Sequence, residues 1–584
     1  MDVRRARAAA SAASGGLVRV ASAALAAASA AAASLTRGRG AADLAAPGSS
    51  LPDDTDDRFS FNASALHLDA WARSDGQPWT AQRLRETLHT HLNGERLIVL
   101  ANREPCIHER NTAGEIVTRH PASGLVTALE PVMRACSGVW VAHGSGSADR
   151  EMADANGRVD LVSDDASYRL RRIWLTEEEE RGYYYGFANE ALWPLCHLAH
   201  ARPVFRRADW ELYQRVNARF ADAVAAEADC DDPLVLVQDY HLALAPKLVR
   251  ERLPRATILT FWHIPWPNAE RLAICPYHDA LLDGLLGSCI VGFQTPRHCR
   301  NFCDSVNRHL EARIDWDDLA VNYHQRTTLV RAYPISVEWP NRWCTTAPSV
   351  EECRRSVHEE LALDPAIPIV LSVDRLDYTK GIEERLLTAE RMLERNTHAA
   401  FVQVATPSRV RIDQYRELGQ RVRAEVDRIN ARFGHDGFEP LLLLNRHLEP
   451  PDVFRYYRAA DVCYVSSLHD GMNLVAKEFI AARDDERGTL VVSRFTGAAR
   501  ELADALIVNP YDLDGVADVL AAALAMTAPE QRERMRALRA LVAERNVYRW
   551  AGLMLIDAAG LRRRRRAGKR QLWVRRSSAR SETR

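Results

Sequence analysis

The chain has 584 residues, 47% of them hydrophobic, which is enough for more than one domain with its own core. Its formal net charge of −1 excludes a general electrostatic attraction to nucleic acid or acidic membranes. Eleven scattered cysteines form no zinc-type pairs, so we expect reduced thiols in a cytoplasmic protein.

The first 58 residues are rich in alanine, serine and arginine and become acidic at Asp53 to Asp57. The run from Gly16 to Leu35 resembles a weak signal or membrane anchor. However, alanine is barely apolar, and Arg19 interrupts the run. We interpret residues 1–58 as a disordered extension, or as an overextended start, in preference to an anchor.

Short apolar runs alternate with helical patterns along the rest of the chain. The first set of strand-like runs is Leu97–Ala101, Leu234–Val237, Ile258–Trp262 and Ile290–Phe293. An acidic, polar connection near Thr345–Glu352 begins a break at 345–365. After it, the second set is Ile369–Val373, Phe401–Ala405, Leu441–Leu444, Val462–Val465, Leu490–Val492 and Leu506–Val508. Such alternation predicts an α/β protein with two parallel sheets, in domains 59–345 and 346–560.

The first run leads directly into polar residues. Asn102 and Arg103 follow the strand, and after a polar loop Ser123-Gly124-Leu125 opens a helix. A strand, a cation and a glycine at a helix start are typical of a ligand site at the carboxyl end of a sheet.

Arg375 and Lys380 follow the first strand of the second set and precede a helix that starts near Ile382. Arg offers a forked contact and Lys a point charge, a pairing that suits a leaving diphosphate. Taken singly, each residue is also compatible with an ordinary surface charge.

The segment from Asp470 to Glu478 follows the strand-like run Val462–Val465. Gly471 marks a turn into a helix, whose free backbone N–H groups suit a diphosphate. Asp470 is placed to hold sugar hydroxyls, and Glu478 is placed to hold the two hydroxyls of a ribose. The alternative is an ordinary strand–turn–helix with a capping aspartate.

The C-terminus carries five consecutive arginines from Arg562 and further cations up to Arg584. We predict that residues 561–584 form a basic, disordered tail. The alternative is that the tail contacts acidic lipid or RNA. We favour the first interpretation, and so we expect neither membrane contact through the tails nor a nucleic-acid partner.

Together these stretches resemble the trehalose-6-phosphate synthase family of retaining glycosyltransferases, from about Arg96 to Trp550. Eight motifs occur in order: Asn102-Arg103, Ser123-Gly124-Leu125, Tyr184 with Asn189 and Leu192-Trp193-Pro194, Gln238-Asp239-Tyr240-His241, His263-Ile264-Pro265-Trp266-Pro267, Gly292-Phe293-Gln294-Thr295, Arg375 through Gly381, and Asp470 through Glu478. The resemblance implies a GT-B fold, in which two facing Rossmann-like domains enclose a cleft. It also implies that the segment around Trp550 crosses back to the first domain.

The resemblance also implies a donor site for UDP-glucose. Its catalytic residues are Asp470, His263, Arg375 and Lys380. The donor contacts are Gly124, Arg375, Lys380, Gly471, Met472, Asn473, Leu474, Val475 and Glu478. Transfer with retention then needs neither a protein nucleophile nor a metal, because the two cations replace a magnesium ion.

On the acceptor side, the resemblance places Arg103, Tyr184 and Arg409 around the phosphate of glucose 6-phosphate, with Trp193 and Asp239 facing its sugar. Taken alone, Trp193 and His263 also fit core positions. The sequence departs from the family at His143-Gly144-Ser145, where Trp-Ser-Gly is usual, and at His469, where arginine often stands.

Three functions are compatible with these residues. The first is synthesis of trehalose 6-phosphate, with UDP-glucose as co-substrate and with neither a cofactor nor a metal. The second is transfer to another phosphorylated acceptor, such as glycerol 3-phosphate. The third is a silent regulatory subunit, which intact donor motifs disfavour. We expect small-molecule substrates and a homo-oligomer.

Overall fold

Two β-sheets and a separate hairpin organise the protein, for which a computed structural model describes residues 78–121, 124–163 and 166–581. The predicted N-terminal extension and Ser123 lie outside the described residues. The described residues all belong to the unit Asn62–Arg584.

Twelve strands precede residue 333. In chain order they are β1 (Leu97–Leu100), β2 (Ile107–Arg110), β3 (Ile116–Arg119), β4 (Val139–His143), β5 (Arg158–Ser163), β6 (Ala166–Ile173), β7 (Leu234–Gln238), β8 (Thr257–Phe261), β9 (Ile290–Phe293), β10 (Arg313–Asp315), β11 (Ala320–Tyr323) and β12 (Arg326–Ala332). Ten of them form one sheet in the order β10-β11-β12-β9-β8-β7-β1-β4-β6-β5. The strands from β12 to β6 in this order are parallel, and antiparallel strands complete both edges.

The second sheet has six strands, and all of its pairs are parallel. They are β13 (Ile369–Arg375), β14 (Ala400–Thr406), β15 (Leu441–Leu444), β16 (Val462–Val465), β17 (Thr489–Ser493) and β18 (Leu506–Val508), in the order β15-β14-β13-β16-β17-β18. The ten strand-like runs predicted from the sequence correspond to strands of these two sheets.

Helices connect the strands. They are α1 (Ala81–Leu92), α2 (Gly124–Cys136), α3 (Glu177–Glu180), α4 (Trp193–Cys196), α5 (Arg207–Glu227), α6 (Ala245–Arg252), α7 (Ala269–Leu272), α8 (His278–Leu285), α9 (Pro296–His309), α10 (Arg342–Thr345), α11 (Val350–Glu360), α12 (Ile382–Glu394), α13 (Asp413–Phe433), α14 (Pro450–Ala459), α15 (Leu474–Ala482), α16 (Leu513–Leu524), α17 (Ala528–Glu544) and α18 (Val547–Ser581). A π-helix spans Arg181–Leu192, and 3-10 turns span Tyr240–Leu242, Tyr378–Lys380 and Ala498–Arg500. Within the described residues, no helix is both long and apolar enough to span a bilayer.

The central strands of the first sheet are buried along their whole length, as β1, β7, β8 and β9 show. Strands covered by helices on both faces read as continuous apolar runs. Parallel pairing also brings the carboxyl ends of neighbouring strands to one edge, which is where ligands bind in such sheets.

Three local predictions differ from the structure. The polar loop after Arg103 contains the hairpin β2–β3. The connection predicted at 345–365 contains α11, because Ser349 and Glu352 form a capping box that starts a helix. The strands β4, β5, β6, β10, β11 and β12 of the first sheet were not among the predicted runs.

The last helix crosses back to the first sheet, as the resemblance implied. Trp550 is buried and packs edge-to-face on Phe261 of β8, with ring centroids 5.1 Å apart. The Tyr333 hydroxyl donates to Asp557 at 2.5 Å. The helix continues to Ser581, where a disordered tail was predicted from residue 561.

Arg562, the first arginine of that tail, is buried against the first sheet and does not extend into solvent. Its guanidinium donates to the Thr257 hydroxyl at 2.8 Å, to the Asp232 carbonyl and to the Glu95 carboxylate. Predicting the tail from charge alone overlooked these acceptors, which lie far away in sequence.

We expect Arg562→Ala to lower the free energy of unfolding by about 1.5–3 kcal/mol, because it removes charged hydrogen bonds from a buried position. Chemical denaturation of the purified protein measures the change. Arg564, which is exposed, supplies the matched control Arg564→Ala. Equal stability of the two variants would show that the arginine run does not anchor the helix.

Candidate active site

A cavity of about 320 Å³ lies where the carboxyl ends of the two sheets meet. Its wall includes every predicted site residue except Gly471. The predicted residues on the wall are Arg103, Gly124, Tyr184, Trp193, Asp239, His263, Arg375, Lys380, Arg409, Asp470, Met472, Asn473, Leu474, Val475 and Glu478. The structure therefore brings together segments that are hundreds of residues apart in sequence.

Asp470 and Lys380 form an ion pair on this wall. The Lys380 ammonium lies 2.5 Å from Asp470 Oδ2, and both side chains are largely buried. Burial opposes ionisation of the carboxyl group, but Lys380 holds the pKa of Asp470 below its ordinary value. The Asn473 side-chain amide also donates to Asp470 Oδ2, at 3.2 Å. Asp470 is therefore a fixed, ionised carboxylate.

The turn that carries Lys380 depends on a glycine. Gly381 has φ +63°, and a Cβ there would lie 2.5 Å from the Ser466 carbonyl oxygen. The turn starts α12 and places Lys380 beside Arg375, the last residue of β13. Two cations thus stand at the carboxyl end of one strand, as the sequence predicted.

Gly471 lies where the two halves of the protein touch, which explains its absence from the wall. A Cβ at this position would lie 2.0 Å from the His263 carbonyl oxygen, so only glycine fits. Similarly, a Cβ on Gly124 would lie 3.2 Å from Leu474 Cδ1. These glycines keep the Asp470 segment close to the first sheet.

His263 follows β8 and is neutral, because burial lowers its pKa to about 3. Its Nε2 lies 2.6 Å from Gln238 Oε1, and its backbone N–H donates to Asp239 Oδ1 at 3.0 Å. Burial raises the pKa of Asp239 to about 7, against three backbone hydrogen bonds that lower it. The loops after β7 and β8 thus hold each other in place.

Glu478 points into the cavity from α15. The Tyr457 hydroxyl donates to Glu478 Oε2 at 2.9 Å, and burial raises the pKa of the carboxyl group. Asn473 begins the same helix, and its Oδ1 accepts from the Ala476 N–H at 3.1 Å. The carboxylate therefore sits about one turn above the helix start, on the cavity wall.

Arg103, Tyr184 and Arg409 also lie on the cavity wall. The Arg103 guanidinium donates to the Tyr184 hydroxyl at 2.8 Å. Burial favours the neutral phenol, but Arg103, Arg409 and Arg375 lower the pKa of Tyr184 to about 8. Two guanidinium groups and an acidified phenol form a site for a dianion.

Arg409 is held from several sides. Its guanidinium lies 3.1 Å from Asp377 Oδ2 and 2.5 Å from the Tyr415 hydroxyl, and it stacks 4.1 Å above the Trp193 ring. Its backbone is left-handed, with φ 50°, which is uncommon for arginine. A buried partner on each side fixes the direction of its charge.

Several buried polar atoms on the wall lack a hydrogen-bond partner among the described residues. They are Asn102 Oδ1, Trp193 Nε1, Gln238 Nε2, His241 Nε2 and Arg409 Nε. Buried polar groups in proteins are nearly always paired. Five residues of one cavity wall carry such atoms, and this concentration is typical of a polar ligand site.

The sequence pointed to some neighbouring residues without giving them a role. Gln238 and Tyr240 flank Asp239 in the same motif, and Asp377 lies between Arg375 and Lys380. Tyr457 carried no signal, because its helix contains no site motif. His143, where the sequence departs from the family, is not on the cavity wall.

Comparisons with known proteins agree with this geometry. The sequence profile of glycosyltransferase family 20 matches residues 95–559. The trehalose-6-phosphate synthase of Mycolicibacterium vanbaalenii is 38% identical over 469 residues, which cover 78% of this chain and 94% of the relative.

Two solved structures are also similar. The Burkholderia xenovorans alpha,alpha-trehalose-phosphate synthase (UDP-forming), in complex with glucose-6-phosphate, has a TM-score of 0.70 and 32% identity, covering 79% of this chain and 99% of its own. The E. coli protein bound with UDP-2-fluoro glucose has a TM-score of 0.69 and 30% identity, covering 80% and 99%.

Two sheets of parallel strands facing one cleft, together with these structural matches, define a glycosyltransferase of the GT-B fold, which confirms the predicted fold class. The chain belongs to glycosyltransferase family 20, and the resemblance seen in its sequence is thereby confirmed.

Proposed function

We propose that this protein transfers glucose from UDP-glucose to glucose 6-phosphate with retention, forming α,α-trehalose 6-phosphate and UDP. The observation that carries the proposal is one cavity whose wall holds two sets of cations. Arg375 and Lys380 form the first set, and Arg103 and Arg409 stand with Tyr184 in the second. The names of the relatives and the ligands of the two solved structures support the same reaction.

The donor occupies the side of the second sheet in this proposal. Arg375 and Lys380 hold the diphosphate, with the backbone N–H groups that follow Gly471. Glu478 holds the ribose, while Asp470 and His263 hold hydroxyls of the glucose. Because His263 is neutral, it contacts the sugar as a hydrogen-bonding group and not as a charge.

The acceptor lies against the first sheet, and Arg409, which follows β14, reaches it from the second sheet. Arg103, Tyr184 and Arg409 hold its phosphate, and Trp193 and Asp239 face its sugar ring. This arrangement fixes the anomeric hydroxyl of the acceptor near the anomeric carbon of the donor, which supplies much of the rate enhancement.

The transfer breaks the bond between the anomeric carbon and the diphosphate oxygen and forms a bond to the acceptor oxygen on the same face. The proton of the acceptor hydroxyl passes to an oxygen of the leaving diphosphate. Arg375 and Lys380 stabilise the charge that develops there. Asp470, fixed by Lys380, is a positioning carboxylate in this scheme and forms no covalent intermediate.

The acceptor site predicts a pH dependence. As pH rises through about 8, Tyr184 ionises in the free enzyme, and its phenolate repels the phosphate dianion and occupies the arginines. We therefore expect kcat/KM for glucose 6-phosphate to fall above this pH. The pH profile of kcat/KM measures the effect.

Two single variants separate this ionisation from others. Tyr184→Phe should remove the alkaline fall, whereas Tyr185→Phe should keep it, because burial raises the pKa of Tyr185. An unchanged alkaline fall in Tyr184→Phe would assign the ionisation to another group.

We also propose that the reaction needs no metal, because Arg375 and Lys380 supply the positive charge that a magnesium ion supplies elsewhere. Excess EDTA should leave the initial rate unchanged, and added Mg²⁺ should not restore a Lys380→Ala variant. Loss of activity on chelation, with recovery in Mg²⁺, would contradict this assignment.

We propose residues 59–345 as the acceptor-binding domain and residues 346–560 as the nucleotide-sugar-binding domain. We further propose a cytoplasmic homo-oligomer. The absence of disulfides among the eleven cysteines supports the location. Size-exclusion chromatography with light scattering measures the oligomeric state, and a monomeric mass would contradict that part.

A donor-by-acceptor matrix tests the proposed reaction. UDP-glucose and other nucleotide sugars are each combined with glucose 6-phosphate, glycerol 3-phosphate and glucose, and the products are identified by mass. The proposal expects trehalose 6-phosphate as the main product. If the enzyme prefers glycerol 3-phosphate as acceptor, the proposed phosphate site stands, but the proposed synthesis of trehalose 6-phosphate is wrong.

A further inference from the structure

A histidine–aspartate–histidine cluster lies outside the active-site cavity. Among the residues that the structure describes, His278, Asp279 and His309 form one group whose ligand atoms all lie within 4.8 Å of one another. His278 and Asp279 begin α8, and His309 ends α9. None of the three lies on the wall of the active-site cavity.

The two imidazoles are close and oriented by backbone carbonyls. Their ring centroids are 4.4 Å apart, with planes inclined by 68°. His278 Nδ1 lies 2.7 Å from the Cys275 carbonyl, and His309 Nε2 lies 3.3 Å from the Ala269 carbonyl. Each contact leaves the other ring nitrogen available to a cation. Metal-binding histidines are commonly oriented through the second nitrogen in this way.

The carboxylate stands beside one of those nitrogens. His278 Nε2 lies 3.1 Å from Asp279 Oδ1. Since Nδ1 of this ring donates to a carbonyl, a neutral imidazole presents a lone pair to the carboxylate, and the two repel. A proton or a metal ion between them removes the repulsion.

We propose that His278, Asp279 and His309 bind a divalent first-row transition ion, with Zn²⁺ as the best fit. Two imidazoles and one carboxylate suit Zn²⁺, whereas Mg²⁺ and Ca²⁺ prefer oxygen ligands alone. Two ligands of a tetrahedral zinc ion are about 3.4 Å apart. The cluster therefore needs side-chain shifts on the order of 1 Å, and Asp279 is 64% exposed and has room to move.

The ion would join helices that are connected, through α7, to the segment after Trp193 on the cavity wall. It links the start of α8 to the end of α9, and His309 contacts Ala269, the first residue of α7. On α7, Arg271 donates to the carbonyls of Leu195 at 2.6 Å and His197 at 3.1 Å, just after Trp193. The site is therefore stabilising and takes no part in glycosyl transfer.

The test measures zinc binding and thermal stability in the full-length protein, prepared without a polyhistidine tag and stripped with a chelator. Asp279→Asn and His309→Gln each remove one ligand. His435→Gln is the matched control, because His435 is an exposed histidine next to an aspartate, 3.8 Å from Asp436 Oδ2. Zinc that binds to cysteine thiols elsewhere contributes equally to all four proteins, so it does not affect the difference in zinc content between them.

We expect the wild type and His435→Gln to bind one more zinc ion per chain than Asp279→Asn and His309→Gln. Zinc should raise the Tm of the wild type and of His435→Gln only. Co²⁺ should give these two proteins a visible absorption band. Equal zinc content and equal Tm shifts in all four proteins would overturn the proposal. Neither readout depends on the transferase reaction, so this proposal and the proposed function fail separately.

Discussion

Replacing Lys380 with alanine is expected to lower kcat/KM for glucosyl transfer by about 10²–10³-fold, because it removes a cation that acts on the leaving diphosphate. The variant also leaves Asp470 without the ammonium that now lies 2.5 Å from it. Steady-state kinetics with UDP-glucose and glucose 6-phosphate measures the loss, and titration with UDP measures the accompanying loss of affinity.

Lys247 offers a matched control for this variant. It forms an ion pair of the same length, 2.5 Å to Asp283, on an exposed surface away from the cavity. Lys247→Ala should retain normal kinetics. A folded Lys380→Ala protein with a near-normal rate would remove the diphosphate role from Lys380.

The same ion pair predicts non-additive effects. Because Lys380 and Asp470 contact each other, the double variant should lose less than the product of the two single losses. Independent effects would show that the pair is broken in the substrate complex.

The second large effect concerns the acceptor. Glucose is expected to be used about 10³-fold less efficiently than glucose 6-phosphate, because each charged hydrogen bond to the phosphate contributes about 1.5–3 kcal/mol. Competition between the two acceptors for limiting UDP-glucose measures the ratio of their kcat/KM values.

Arg103→Met should narrow that ratio by lowering only the efficiency of the phosphorylated acceptor. The control is Arg207→Met, which removes an arginine that is 87% exposed and pairs with Glu211 at 2.9 Å. Equal use of glucose and glucose 6-phosphate by the wild type would mean that Arg103, Tyr184 and Arg409 do not bind a phosphate.

The positions of the proposed donor-binding residues could be predicted from local sequence. Parallel strands bring their carboxyl ends to one edge, so residues such as Arg375 and Asp470, which follow buried strands, lie near each other. The pairing of Lys380 with Asp470 could not be predicted in this way, because it joins positions 90 residues apart.

The residues proposed to bind the acceptor could be predicted only through the family resemblance. Tyr184 lies on the π-helix Arg181–Leu192, whose i→i+5 hydrogen bonds break the 3.6-residue period used to place side chains. Arg409 has a left-handed backbone conformation, which its residue type does not predict, since arginine rarely adopts it. Its direction depends on Asp377 and Tyr415, which fold around it only in the tertiary structure.

The two edge strands and the course of the last helix were also missed. The edge strands β5 and β10 pair only antiparallel and are partly exposed and polar, so they lack the continuous apolar run that marks central strands. Arg562 was assigned to a solvated tail by its charge, but its acceptor Glu95 lies 467 positions earlier.

The configuration of the purified product decides whether the proposed reaction takes place. The protein is incubated with UDP-glucose and glucose 6-phosphate, and the phosphorylated disaccharide is examined by NMR. We expect two α-linked anomeric carbons joined through one oxygen, with UDP released in equal amount. A β-configured glucosyl residue, or a linkage to any other hydroxyl of the acceptor, would contradict it.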